Sequence, residues 1–263
     1  MSSLNASIYL ILTCLIVLVP SSVGDVVEHP LNGSERRRIA EELGRQLDAL
    51  PILNDDDPDG VRRHSRRGDV LFFMGKYAEA VEEYRAMVRL DPKLDASHWR
   101  LGIALFFAEE YEAAAGQFDR YHSFDDVDRE NGIWRFLSHY RAFGKQRAAQ
   151  QLLKYSKDDR EPFPVVYRLF DGGITPADAL AGISDDLPAT ERSKRLFYTQ
   201  LYIGMLETVR GNTRAAQVAL ADAVARTWPR KAGFGPHFMW HVGRLQFEQL
   251  TESREPPLAQ PVR

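Results

Sequence analysis

Residues 68–86 read GDVLFFMGKYAEAVEEYRA, and residues 102–120 read GIALFFAEEYEAAAGQFDR. The two stretches align without a gap. Gly68 and Gly102, Tyr77 and Tyr111, Ala80 and Ala114, and Tyr84 and Phe118 each stand 34 residues apart. One further step of the same length brings Ala148 and Leu152 onto the last two positions. The register has a physical purpose. Small residues at the glycine and alanine positions let two antiparallel helices approach closely, and aromatics fill the space between one pair and the next. A fixed period of this kind predicts stacked helix pairs.

This register resembles the tetratricopeptide repeat, a helix-turn-helix unit of 34 residues. Residues 61–94 carry Gly68, Gly75, Tyr77, Ala80, Tyr84 and Pro92 at the signature positions. Residues 95–128 carry Leu101, Gly102, Tyr111, Ala114 and Phe118, with Asp126 where proline is usual. A later unit over 197–230 carries Gly204, Gly211, Ala216, Leu220 and Ala223. Residues 129–160 read as a degenerate repeat, with Phe136 in place of the first glycine. Residues 161–188 fit no repeat. Their apolar segment from Val165 to Phe170 stops at Gly172-Gly173, and Thr175 followed by Pro176 predicts the N-cap and first turn of a short helix.

The flanks complete an all-α solenoid over residues 25–250. Ser34 is expected to cap a first helix whose apolar residues, Ile39, Leu43, Leu47 and Leu50, share one face before Pro51 ends it. The last helix is expected from Pro236 to about Leu250, packing as a terminal cap. The tail, 251–263, carries Pro256, Pro257 and Pro261 and is expected to be disordered. No alternating strand pattern of useful length occurs.

Residues 1–24 contain no Lys, Arg, Asp or Glu. The apolar stretch from Ile8 to Val19 is shorter than the roughly 20 residues of a spanning helix. Pro20 follows, and Ser22 and Gly24 suit the −3 and −1 positions of a signal-peptidase site. Cleavage is therefore expected after Gly24, with export to the periplasm or outside the cell. Cys14, the single cysteine, follows Thr13 and sits mid-stretch, which does not suit lipid attachment. After cleavage no membrane tether is expected, and a chain without cysteine must be held by packing alone.

Composition narrows the function. The net charge is −3, with 44% hydrophobic and 27% charged residues. This is the make-up of an ordinary globular protein, with no basic excess to suggest a nucleic-acid partner. Asp55, Asp57, Asp59 and Gly60 match the first half of a calcium loop, but Arg66 stands where the bidentate glutamate belongs. A solvated turn is the better reading. His237 and His241 are four apart on one helical face, as zinc ligands can be, yet the catalytic glutamate of H-E-x-x-H and a third ligand are missing. A metal-dependent hydrolase built on these two histidines is the competing reading. No phosphate loop and no G-x-S-x-G appear. A non-enzymatic binding module without cofactor or metal is expected.

The order of parts also resembles the NlpI-type tetratricopeptide lipoproteins of the bacterial envelope, over about residues 34–250. The resemblance implies a scaffold that docks peptidoglycan hydrolases or a protease. The residues resembling the groove positions of tetratricopeptide proteins are Arg62, Ser65, Asp69 and Phe72, then Ala96, Trp99, Ile103 and Phe106. Trp99 and the two phenylalanines would anchor a protein or peptide partner, while Arg62 and Asp69 would orient polar groups. Asp69 and Ile103 replace the asparagines of the carboxylate-clamp members, which disfavours a C-terminal carboxylate as ligand.

Overall fold

The computed structural model describes residues 27–50, 59–157 and 159–252. The expected signal segment and its expected cut after Gly24, the expected Pro51 stop, Asp55 and Asp57, and the tail from residue 253 lie outside the described residues. Among the described residues there is no β-strand, and twelve α-helices follow one another. None of these helices is long and apolar enough to cross a membrane.

Helix α1 spans Gly33–Asp48. Its cap is Asn32, where Ser34 was expected. Asn32 Oδ1 accepts from the Ser34 and Glu35 amides at 3.0 and 2.9 Å, and the Glu35 carboxylate accepts from the Asn32 amide. This reciprocal box satisfies orphan amides that a serine two residues later cannot reach.

Two helix pairs follow: α2 (Gly60–Phe73) with α3 (Tyr77–Leu90), and α4 (Trp99–Phe107) with α5 (Tyr111–Phe124). The 34-residue register is their contact surface. A Cβ added at Gly68 would lie 2.6 Å from the Tyr84 ring, and one at Gly102 would lie 2.6 Å from the Phe118 ring. Ala80, Tyr84, Ala114 and Phe118 are all fully buried. The turn within the first pair uses Gly75 at φ +77°; Glu109 takes the same left-handed conformation at φ +63° in the second pair. Leucine at Ala80 or Ala114 should overpack these crossings and cost about 1–3 kcal/mol. Thermal melts of the two variants check this, and melting within about a degree of the parent for both would refute the register.

The degenerate repeat is α6 (Arg129–Phe143) followed by a short α7 (Lys145–Gln150). Phe136 fills space against Phe170, with ring centroids 5.4 Å apart, so the absent glycine is replaced by an aromatic contact. Two short helices come next, α8 (Phe163–Tyr167) and α9 (Pro176–Ala181). Thr175 caps α9 as expected, in a box with Asp178. Then α10 (Ala189–Arg210), which begins ahead of residue 197, pairs with α11 (Thr213–Val224).

The closing helix α12 runs Phe234–Glu252, slightly longer than expected. It is no terminal cap. A cap keeps a polar outer face, whereas residues 238–247 of α12 are buried without interruption. The helix packs on α11 and α10 and returns to α2. Phe238 stacks on Phe72 at 4.9 Å, and His241 stacks on Phe73 at 4.0 Å. Arg244 donates to the Phe73 carbonyl. The inner face of the repeats is therefore filled at the first repeat, against α2 and Trp99 of α4, by the chain's own last helix.

Candidate binding groove

Beyond that filled section the inner face opens into a cavity of about 580 Å³. Trp99 and Ile103 of α4 form part of its wall, joined by Trp134 of α6 and Tyr198 of α10. The start of α12 contributes Pro236 and Met239. Two polar segments complete the rim: the α5–α6 turn around Asp125 and Asp128, and residues 159–161. Trp99 is half-buried and packs edge-to-face on Phe238 at 4.9 Å. Thus α12 both closes the first repeat and sets the orientation of this indole.

The electrostatics of the cavity centre on Glu130 and Arg160. Asp128 caps α6, its carboxylate accepting from the Glu130 amide at 2.9 Å. Arg160 donates to Glu130 and lies 3.2 Å from Asp159 and 3.4 Å from Asp128. The Tyr202 hydroxyl donates to the other oxygen of Glu130. Burial pushes the Glu130 carboxyl up to about 7, although Arg160 opposes the rise. Burial also raises Asp128, again against the pull of Arg160.

A pH dependence follows. The folded chain holds the Glu130 proton where an unfolded carboxyl, near about 4.3, has released it. Stability therefore falls as pH rises from about 4 to about 7, and Glu130 takes no further part above that. Glu130→Gln can still accept from Tyr202 and should flatten this part of the profile. Melting temperatures between about pH 4.5 and pH 8 check it; equal slopes in both proteins would refute the assignment.

The expected groove residues divide. Trp99 and Ile103 meet in the cavity. Phe72 is fully buried under Phe238, and Phe106 is buried against Trp134 and Tyr111. Both belong to the core and present no surface for a partner. Asp69 accepts from the Tyr84 hydroxyl at 2.7 Å and pairs with Arg100 at 2.7 Å, so it ties α2 to α3 and α4. Burial raises its carboxyl while Arg100 opposes. Ser65 accepts from the same guanidinium at 2.9 Å. Arg62 is exposed and pairs with Asp59 at 2.6 Å, outside the cavity. Ala96 lies ahead of α4, which starts at Trp99 after the His98 cap.

Of the histidine pair, His241 is buried in the core and His237 is half-buried beside it. The two rings sit edge-to-face, 4.8 Å between centroids. His241 Nδ1 accepts from Arg244 Nε at 3.3 Å, and burial, then Arg244, lowers its pKa well below the ordinary histidine value. Its Nδ1 lone pair is thus already used. Among the described residues no group of three or more His, Cys, Asp or Glu side chains is arranged to hold a metal ion.

The paired helices, the register glycines and the inner face together point to one family. Residues 68–106 match the family model of the TPR repeat. The matched tetratricopeptide span covers the end of α2, all of α3 and most of α4, including Trp99 and Ile103. Such repeats generally mediate protein–protein interaction and are generally not enzymes. The polar half of the cavity lies outside the matched span. Residues 125–128 end the second repeat, residues 129–130 and 159–160 open and close the degenerate one, and Glu161 lies beyond it, so the register gives none of them a groove position. The signal present was their density of carboxylates, including Asp125, Asp128 and Glu130.

Proposed function

We propose that the chain is an exported, non-enzymatic adaptor that holds an extended segment of a partner protein in the cavity between α4, α6, α10 and α12. The observation that carries this reading is the position of Trp99 and Ile103. Both stand on the inner face of a tetratricopeptide span and still line open space, although α12 closes off Phe72. A half-buried indole bordering a cavity is the kind of anchor that dominates interface energetics. The uncharged segment 1–24 and its small-residue site support export with cleavage after Gly24. The resemblance to NlpI-type lipoproteins supports an envelope scaffold for a peptidoglycan hydrolase or a protease.

A photo-crosslinking residue at position 99 tests the groove. In cells, adducts of defined mass should form from position 99 and not from Phe124, which is 62% exposed on α5 outside the cavity. No adduct from position 99 would overturn the reading. Mass spectrometry of the exported chain should find Asp25 as its first residue.

A further inference from the structure

We infer that the cavity receives a basic side chain of the partner segment, a lysine or an arginine. This rests on the groove reading above and adds the chemistry of what enters. Three independent observations converge.

The first is charge. Five carboxyl groups line the cavity, Asp125, Asp128, Asp159, Glu161 and Glu130, the last keeping its proton up to about pH 7, against Arg160 and Lys194 in the lining and Arg195, which reaches Glu161 at 3.2 Å. None of the three cations is spare, Arg195 being shared between Glu161 and Glu191. Arg160 is shared among Glu130, Asp128 and Asp159, and Lys194 pairs with Glu191 at 2.8 Å. Leaving water is costly for any charge that finds no partner. An incoming ammonium or guanidinium finds an excess of carboxylates here, and an incoming carboxylate finds repulsion.

The second is the wall. Trp99, Tyr121, Trp134, Tyr198 and Trp228 all border the space. Aromatic faces carry negative charge density and attract a desolvated cation while packing against its alkyl stem.

The third is an unsatisfied acceptor. Asn131 lines the cavity and is 3% exposed. Its Nδ2 donates to the Phe118 carbonyl at 3.4 Å, which fixes the orientation of the amide. Its Oδ1 is buried and accepts from no group among the described residues. A buried acceptor without a donor is costly, and a ligand N–H would satisfy it. Carboxylate excess, aromatic wall and orphaned acceptor all ask for a ligand with positive charge and N–H donors.

Selection from a display library of random peptides against the full chain tests this. The selected peptides should share a Lys or Arg at one position. Synthetic versions would then be titrated by fluorescence anisotropy. Citrulline in place of arginine keeps the shape and removes the charge, and should weaken binding at least about 10-fold. Trp99→Ala should weaken it by a similar factor. Glu161→Gln, a conservative change at the rim, should weaken it about 3-fold with an unaltered melting temperature, and this variant keeps the test valid if Trp99→Ala fails to fold. Peptides that lose affinity on Trp99→Ala yet bind equally as arginine or citrulline would overturn the basic-ligand inference and leave the groove reading standing. An acidic residue at the shared position would do the same. Failure to select any peptide would overturn both.

Discussion

Phe238→Ala should destabilise the chain by about 3–5 kcal/mol. The ring is fully buried in α12 and stacks on Phe72 at 4.9 Å. It also meets Phe73 edge-on at 5.3 Å and Trp99 at 4.9 Å. Truncation leaves a cavity where three helices converge, and the rigid neighbouring rings cannot collapse into it. The helix is also tied at Trp240, whose indole donates to the Val224 carbonyl at 2.9 Å, so it cannot slide to refill the gap. Denaturant unfolding at fixed pH measures the loss. A control at the 62% exposed Phe124 should change stability by less than about 0.5 kcal/mol. A loss below about 1 kcal/mol for Phe238→Ala would mean that α12 is not seated against α2.

Gly204→Ala and Gly116→Ala should change stability in opposite directions. Alanine is the better helix former by about 1 kcal/mol, and both glycines lie inside helices. At Gly116 the new methyl would meet only the flexible end of Arg120, at 3.7 Å, so the propensity gain should survive. At Gly204 it would lie 2.5 Å from Leu220 Cγ and 3.3 Å from the Leu220 amide nitrogen. Leu220 is fully buried and has nowhere to go. Helices α10 and α11 must separate, at a cost of about 1–3 kcal/mol that outweighs the propensity gain. Melting both variants beside the parent checks the signs; a stabilised Gly204→Ala would show that the third register glycine is not a close crossing.

These positions also show what could be read from the residues alone. The repeat register was legible because each glycine, alanine and aromatic acts on a neighbour at short range, as Gly102 does with Phe118. The destination of α12 was not. Its apolar residues say that the helix is buried, but nothing in their spacing says that Phe238 meets Phe72 across the molecule. Trp99 and Ile103 could be placed on the inner face by register, whereas Phe72, at the corresponding face one repeat earlier, is covered because α12 reaches it first. Glu130, Asn131 and Arg160 could not be placed, because the register gives way just where they occur. Ser34 shows the limit for caps: a serine and an asparagine two residues apart are both good caps, and only the backbone decides between them.

The Arg244–Phe73 hydrogen bond joins residues 171 positions apart, and this changes how the molecule must assemble. A solenoid whose repeats touch only their neighbours can grow or fray one unit at a time. Here the last helix closes a ring onto the first repeat, so the cost of a long loop is met before the closing contacts form. Synthesis runs from the N-terminus. During it, the aromatic face around Phe72 and Phe73 stays uncovered until nearly the whole chain has emerged. Premature termination after Gly233 would leave that face bare for good, a sticky patch in search of another chain.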